Sequence, residues 1–210
     1  VAAAMEIGCR VTGVTLSKEQ LSFARERVRA LGLEDRVSLE LCDYRNIKGR
    51  FDKIVSVEMI EAVGHENLGA FFASCERLLK PGGKMVLQAI TIIDEKYEAY
   101  RRRCDWIQKH IFPGGCLPSV GRLSEVVSRN SGLEFQSLET MGIDYAMTLK
   151  IWKDRFNSSR DKVLALGFDE YFIRSWNYYF SYCEAGFLAG PINTVQLVLA
   201  RPWFKDAVVK

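Results

Sequence analysis

The stretch Phe51–Glu66, FDKIVSVEMIEAVGHE, constrains the fold more than any other part of this sequence. A short apolar run containing Ile54, Val55 and Val57 ends abruptly in two acids, Glu58 and Glu61. Runs of this length and composition read as buried parallel strands. In open α/β sheets, ligands gather just beyond the carboxyl ends of such strands. Glu61 therefore sits where chemistry is expected. Acids at this place also suit the first turn of a following helix, so the local pattern alone leaves both readings open.

The flanking segments repeat the theme. Arg10–Leu16 is β-branched and predicts a strand. Ser17–Leu31 predicts a helix through Leu21, Ala24, Val28 and Leu31 at helical spacing. Ser17 and Gln20 predict a capping box at its start, and Gly32 ends it. Val37–Leu41 and Phe51–Val57 predict two more strands. Asn67–Leu79 predicts a second helix with Leu68, Phe71, Phe72, Cys75, Leu78 and Leu79 on one stripe. Lys80-Pro81-Gly82-Gly83 stops it before a strand over Lys84–Ile93. The order β-α-β-β-α-β with short links argues a mostly parallel sheet with crossover helices.

Beyond Asp94 the pattern changes. Asp94–His110 is charged and aromatic, with Arg101, Arg102 and Arg103 in a row, and Phe112–Ser119 reads as a turn or loop. Val120–Asn130 predicts a helix and Leu133–Ile143 a strand. Helices are predicted over Tyr145–Phe156 and Asp169–Phe187, and a closing strand over Thr194–Ala200.

A length of 210 residues suits one domain with an insertion, and a net charge of +3 is too weakly basic to argue for nucleic acid. The six cysteines form no CxxC pair, which fits a reducing compartment better than a disulfide framework. His65 and His110 lack metal-ligand partners at a suitable spacing, so no metal site is expected. No apolar run is long enough to span a bilayer.

Several phrases, in order, carry a family resemblance: GVTLSKEQ (Gly13–Gln20), the DYR of Asp43–Arg45, EMIEAVGHE (Glu58–Glu66), LLKPGGKMVLQ (Leu78–Gln88), IFPGGCLPS (Ile111–Ser119) and GIDYAMTLKIW (Gly142–Trp152). Together they resemble the cyclopropane-fatty-acyl-phospholipid synthases, especially the plant-type enzymes, with the mycolic acid cyclopropane synthases as more distant relatives. LKPGG is common to many methyltransferases, whereas FPGGCLPS and DYAMTLKIW are far more specific.

The resemblance implies an α/β Rossmann-like S-adenosylmethionine-dependent methyltransferase fold over residues 1–210, with a lid insertion over 94–190 covering the acyl site. It implies S-adenosylmethionine as donor, the cis double bond of an unsaturated phospholipid acyl chain as acceptor, and bicarbonate as the base. It places the protein in the cytoplasm, peripherally at a membrane surface. The catalytic assignment that follows is Glu61, Tyr145, Gln88 and Ile90, with Glu61 and Tyr145 holding the bicarbonate. Gln88 stands where the bacterial enzymes carry His; it donates a hydrogen bond but does not titrate. Thr15, Leu16, Ser17 and Gln20 match positions near the ribose and methionine of the donor, and Asp43, Tyr44 and Arg45 match the adenine loop. Ser17 and Gln20 are equally explained as a cap, and Asp43 as a loop acid.

The sequence opens without Met, at VAAAMEIG, which reads as the end of a helix. The family's first strand, its glycine-rich loop and an early cysteine of the bicarbonate site are expected upstream of Val1, and residues 1–210 alone are expected to bind the donor weakly and to be inactive. Two rival readings stand beside this one: a methyltransferase for small amines or hydroxyls, and a catalytically inactive interaction module. Oligomeric state is left open.

Overall fold

The structure is a computed structural model that describes residues 1–203. The chain divides into two compact units, Val1–Gly49 and Arg50–Lys210.

In the first unit, helix α1 (Ala2–Glu6) leads into strand β1 (Val11–Thr15), helix α2 (Lys18–Ala30) and strand β2 (Val37–Leu41). The two strands pair in parallel from Val11 opposite Val37 to Thr15 opposite Leu41. Val28 of α2 packs with Ala4, Leu33 and Val37 in a small core. Leu21 is buried as its spacing predicts, but Leu31 lies beyond the helix and is 43% exposed. Gly32 turns the chain there at a φ of 62°, a left-handed conformation that glycine adopts without steric cost.

The second unit holds strand β3 (Phe51–Val57), helix α3 (Leu68–Leu78), strand β4 (Leu79–Ile92), helices α4 (Asp94–Tyr100), α5 (Trp106–His110) and α6 (Val120–Asn130), strand β5 (Glu134–Thr140), helices α7 (Gly142–Ser158), α8 (Arg160–Ala165) and α9 (Glu170–Ala189), and strand β6 (Ile192–Ala200). Its sheet runs β3-β4-β6-β5. Only β3 and β4 are parallel. β6 is antiparallel to both β4 and β5, so the sheet is mixed where the sequence predicts it mostly parallel.

The burial expected for β3 is not found. Val55 is 69% and Val57 58% exposed, while Ile54 and Ser56 on the other face are part-buried, so one face of this edge strand lies uncovered. The centre of the sheet is β4 and β6, where Met85, Leu87, Ala89, Val195, Leu197 and Leu199 are almost fully buried. β4 also begins earlier than predicted. Leu79 pairs with Phe51, then the register jumps so that Lys84 meets Lys53, and Lys80–Gly83 bulges out between them.

α3 buries the stripe Leu68, Phe71, Phe72, Cys75 and Leu78. α7 and α9 bury Ala146, Leu149, Phe180, Cys183 and Phe187 together, with Trp176 and Tyr179 packed against them. Phe168 and Tyr171 stay outside that core and, with His110 and Trp176, line an open cavity of about 530 Å³. Arg101 and Arg102 pair with Glu98 on a solvated surface. No helix among the described residues is long and apolar enough to cross a membrane.

Candidate active site

The site is built where β3 ends. Glu58, the residue after β3, has a φ of 49° and is the one non-glycine residue with positive φ among the described residues. That conformation costs a residue with a Cβ roughly 1–2 kcal/mol. Its amide is anchored by donating to the carbonyl of Gln88, at 2.9 Å. Its side chain is anchored at both oxygens. Gln88 Nε2 donates to Oε1 at 2.9 Å, and the Tyr145 hydroxyl donates to Oε2 at 2.8 Å.

Register explains why these groups meet. Gln88 lies opposite Val57 on β3 and opposite Gln196 on β6. Gln196 Nε2 donates to Gln88 Oε1 at 2.8 Å, so the Gln88 carboxamide is oriented with its N–H towards Glu58. Tyr145 comes from α7, and its ring packs 4.8 Å from that of Phe187, centroid to centroid. Burial, then donation to Glu58 and the Glu58 charge, push the Tyr145 hydroxyl well above the usual phenol range.

Glu61 follows on a short 3-10 turn, Ile60–Ala62, pinned by the fully buried Ile60. Its Oε1 accepts the Ile90 amide at 2.6 Å, and its backbone carbonyl accepts the amide of Cys116 at 2.8 Å. Oε2 is buried without a partner. Burial raises the Glu61 carboxyl above the usual carboxylate range; hydrogen bonds from backbone amides oppose this, and the Glu58 charge adds to it.

Glu61, Gln88, Ile90 and Tyr145 are thus gathered at one end of the sheet. Tyr145 and Gln88 contact Glu58, not Glu61. Of the two readings left open for Glu58, the strand end holds: it follows β3 directly and receives two side-chain donors. Gln196 is the other residue that sequence reading misses. Its signal is a single carboxamide inside the apolar run TVQLVLA, facing Gln88 across the ladder.

The seven residues matched to the donor all fall in the first unit, after the adjacent ends of β1 and β2. Thr15 Oγ1 donates to Gln20 Oε1 at 3.0 Å and accepts the Ser17 amide at 3.1 Å. Ser17 Oγ accepts the Gln20 amide at 3.1 Å. The predicted capping box is therefore half formed: Ser17 caps α2, but the Gln20 side chain serves Thr15. Leu16 is 74% exposed beside these polar groups. Asp43 caps the 3-10 turn Tyr44–Asn46 and forms an ion pair with Arg45. Hydrogen bonds from the Arg45 side chain and amide bring the Asp43 carboxyl down to about 2. His65 starts the turn before α3, with Nδ1 2.6 Å from the Tyr97 hydroxyl. Among the described residues no cluster of His, Cys, Asp or Glu is placed to hold a metal ion.

Parallel strands that end in polar side chains, a closing antiparallel strand and helical cover define the Rossmann-like fold of S-adenosylmethionine-dependent methyltransferases. A crystal structure of a mycolic acid cyclopropane synthase complexed with SAH and CTAB matches with a TM-score of 0.87 at 28% identity, covering 95% of this chain and 72% of that one. The chain belongs to the mycolic acid cyclopropane synthetase family, which it matches over residues 1–197. It is 44% identical over 194 residues to the tuberculostearic acid methyltransferase of Mycobacterium tuberculosis, covering 92% of this chain and 45% of that protein. It is 38% identical over 191 residues to the cyclopropane-fatty-acyl-phospholipid synthase of Escherichia coli, covering 91% of this chain and 47% of that protein. The chain spans about half the length of the curated relatives it matches.

Proposed function

We propose that the protein transfers a one-carbon unit from S-adenosylmethionine to the cis double bond of an unsaturated phospholipid acyl chain, closing a cyclopropane ring. The observation that carries this reading is the pair of carboxylates, Glu58 and Glu61, held with Gln88 and Tyr145 at the carboxyl ends of β3 and β4 in a chain of this family. An alkene is a weak nucleophile, and its alkylation leaves a carbocation. Carboxylates and aromatic faces stabilise such a cation, and a base must remove one proton.

The donor set after β1 and β2 fits S-adenosylmethionine. Hydroxyls and a carboxamide at Thr15, Ser17 and Gln20 suit the ribose and methionine, exposed Leu16 adds an apolar surface, and Asp43, Tyr44 and Arg45 suit the adenosine side. When bound, S-adenosylmethionine supplies an electrophilic methyl group. The helical segment 94–190 is proposed as the lid over the acyl chain, and the protein as a cytoplasmic, peripheral visitor to the membrane. FPGGCLPS, DYAMTLKIW and Gln88 are the grounds for grouping it with the plant-type enzymes. Bicarbonate fits less well. Tyr145, read with Glu61 as holding that anion, and Gln88, read as a donor to it, both donate to Glu58, and Glu61 Oε1 accepts the Ile90 amide.

The test is incubation of the full-length protein to which these residues belong with S-adenosylmethionine and vesicles of unsaturated phospholipid, followed by mass spectrometry of the acyl methyl esters and proton NMR. A gain of one CH₂ with upfield ring protons is expected. Release of S-adenosylhomocysteine only with small amines or hydroxyls would replace this reading. The 44% identity to a tuberculostearic acid methyltransferase favours a second product, an isomeric branched alkene, which the same spectrum separates from the ring.

A further inference from the structure

We propose that Glu58 is the base of this site, a carboxylate built into the chain where a bound anion would otherwise sit. The proposal rests on the function proposed above. Three observations carry it. Glu58 holds a left-handed backbone conformation that glycine would adopt without steric cost, so the side chain is kept against a local penalty. Both of its oxygens are gripped, by Gln88 Nε2 at 2.9 Å and by the Tyr145 hydroxyl at 2.8 Å. The neighbouring acid, Glu61, is set deeper: Oε1 accepts the Ile90 amide and Oε2 is buried away from solvent. Glu58 is only half-buried, so water can reach it between turnovers.

The step balances without another reactant. The alkene π pair forms the new carbon–carbon bond to the methyl group, and the sulfur–carbon pair stays on sulfur. One C–H pair of that methyl then becomes the ring-closing bond to the cationic carbon. Its proton passes to a carboxylate oxygen of Glu58, where a lone pair remains beside the donated hydrogen bond. Glu58 ends as a neutral acid and returns the proton to water. Gln196, through Gln88, is a positioning residue for this carboxylate.

The test compares the full-chain wild type with Glu58→Gly, which relieves the backbone and frees Gln88 and Tyr145, and with Glu58→Gln, which keeps size but accepts no proton. The first readout is line broadening of ¹³C-bicarbonate by protein free of donor and lipid. The second is turnover in buffer stripped of carbon dioxide, with and without added bicarbonate. Wild type is expected to leave the bicarbonate line sharp and to turn over equally in both buffers. Glu58→Gly is expected to broaden the line and to recover at least about tenfold in turnover when bicarbonate is added; Glu58→Gln is expected to lose about a hundredfold or more. Broadening by wild type, or by neither wild type nor Glu58→Gly, overturns the proposal. So does wild-type turnover that depends on bicarbonate, or Glu58→Gln turnover within about threefold of wild type. If no protein alkylates unsaturated phospholipid, the function reading falls, and the broadening comparison still decides whether Glu58 fills an anion position.

Discussion

Glu61 and Tyr145 make different contacts in the proposed site, and single substitutions separate them. Glu61→Gln keeps an oxygen for the Ile90 amide while removing a charge that burial disfavours. Turnover is expected to fall at least about a hundredfold in a lipid alkylation assay. Stability should move the other way. A carboxyl raised in the folded state binds its proton more tightly there than in the unfolded chain. Its presence therefore favours folding at acid pH and weighs against it as pH rises above the unfolded value. Glu61→Gln should melt at or above the wild-type temperature at neutral pH, and that advantage should shrink as pH falls towards the usual glutamate range and be gone below it. A variant that loses both activity and neutral-pH stability would mark Glu61 as structural. Tyr145→Phe removes one hydroxyl and keeps the ring against Phe187. It is expected to cost about 0.5–1.5 kcal/mol in denaturant unfolding and a proportionally larger fraction of turnover. Glu61 and Tyr145 are legible in the sequence as candidates through their motifs. Glu58 is not, because a strand-end acid and a helix-start acid look alike until the backbone angle and the cross-strand register are known.

At the scale of elements, the sequence is most legible where side-chain period and boundary residues agree. The helix over Val120–Asn130 has Ser119 before it and Ser131-Gly132 after it, and it forms with those bounds. Ser119 is buried, and its Oγ accepts the Arg122 amide at 3.2 Å. Ser119→Ala should cost about 1 kcal/mol, and thermal unfolding followed by circular dichroism should show a melting point about 2–4 °C lower. Strands Val37–Leu41 and Phe51–Val57 also form as read. Legibility fails where a property belongs to the partner and not the segment. Val55 and Val57 look like core residues because they are β-branched, yet exposure depends on the strands around β3, which a local window cannot see. The start of β4 is hidden for a similar reason. Lys80-Pro81-Gly82-Gly83 reads as a stop, but Leu79 before it already pairs with Phe51. The short helix α8 carries too little periodicity to be found at all.

For the molecule as a whole, fold class is legible because strand and helix signals alternate at short intervals, while the sense of the last strands is not, since β5 and β6 are joined to the rest by long helical segments that permit either direction. The division into Val1–Gly49 and Arg50–Lys210 is likewise invisible in composition. It has a consequence in time. The first unit has one small core cluster around Ala4, Val28, Leu33 and Val37, whereas β4 and β6 of the second unit lie side by side with nearly every inward side chain sealed. Opening free energy follows buried apolar contact, so the two sheets should open on separate clocks. Deuterium uptake read by mass spectrometry should run ahead in peptides from β1 and β2 by orders of magnitude over those from β4 and β6. Uniform uptake across both would mean that the chain opens as a single cooperative body.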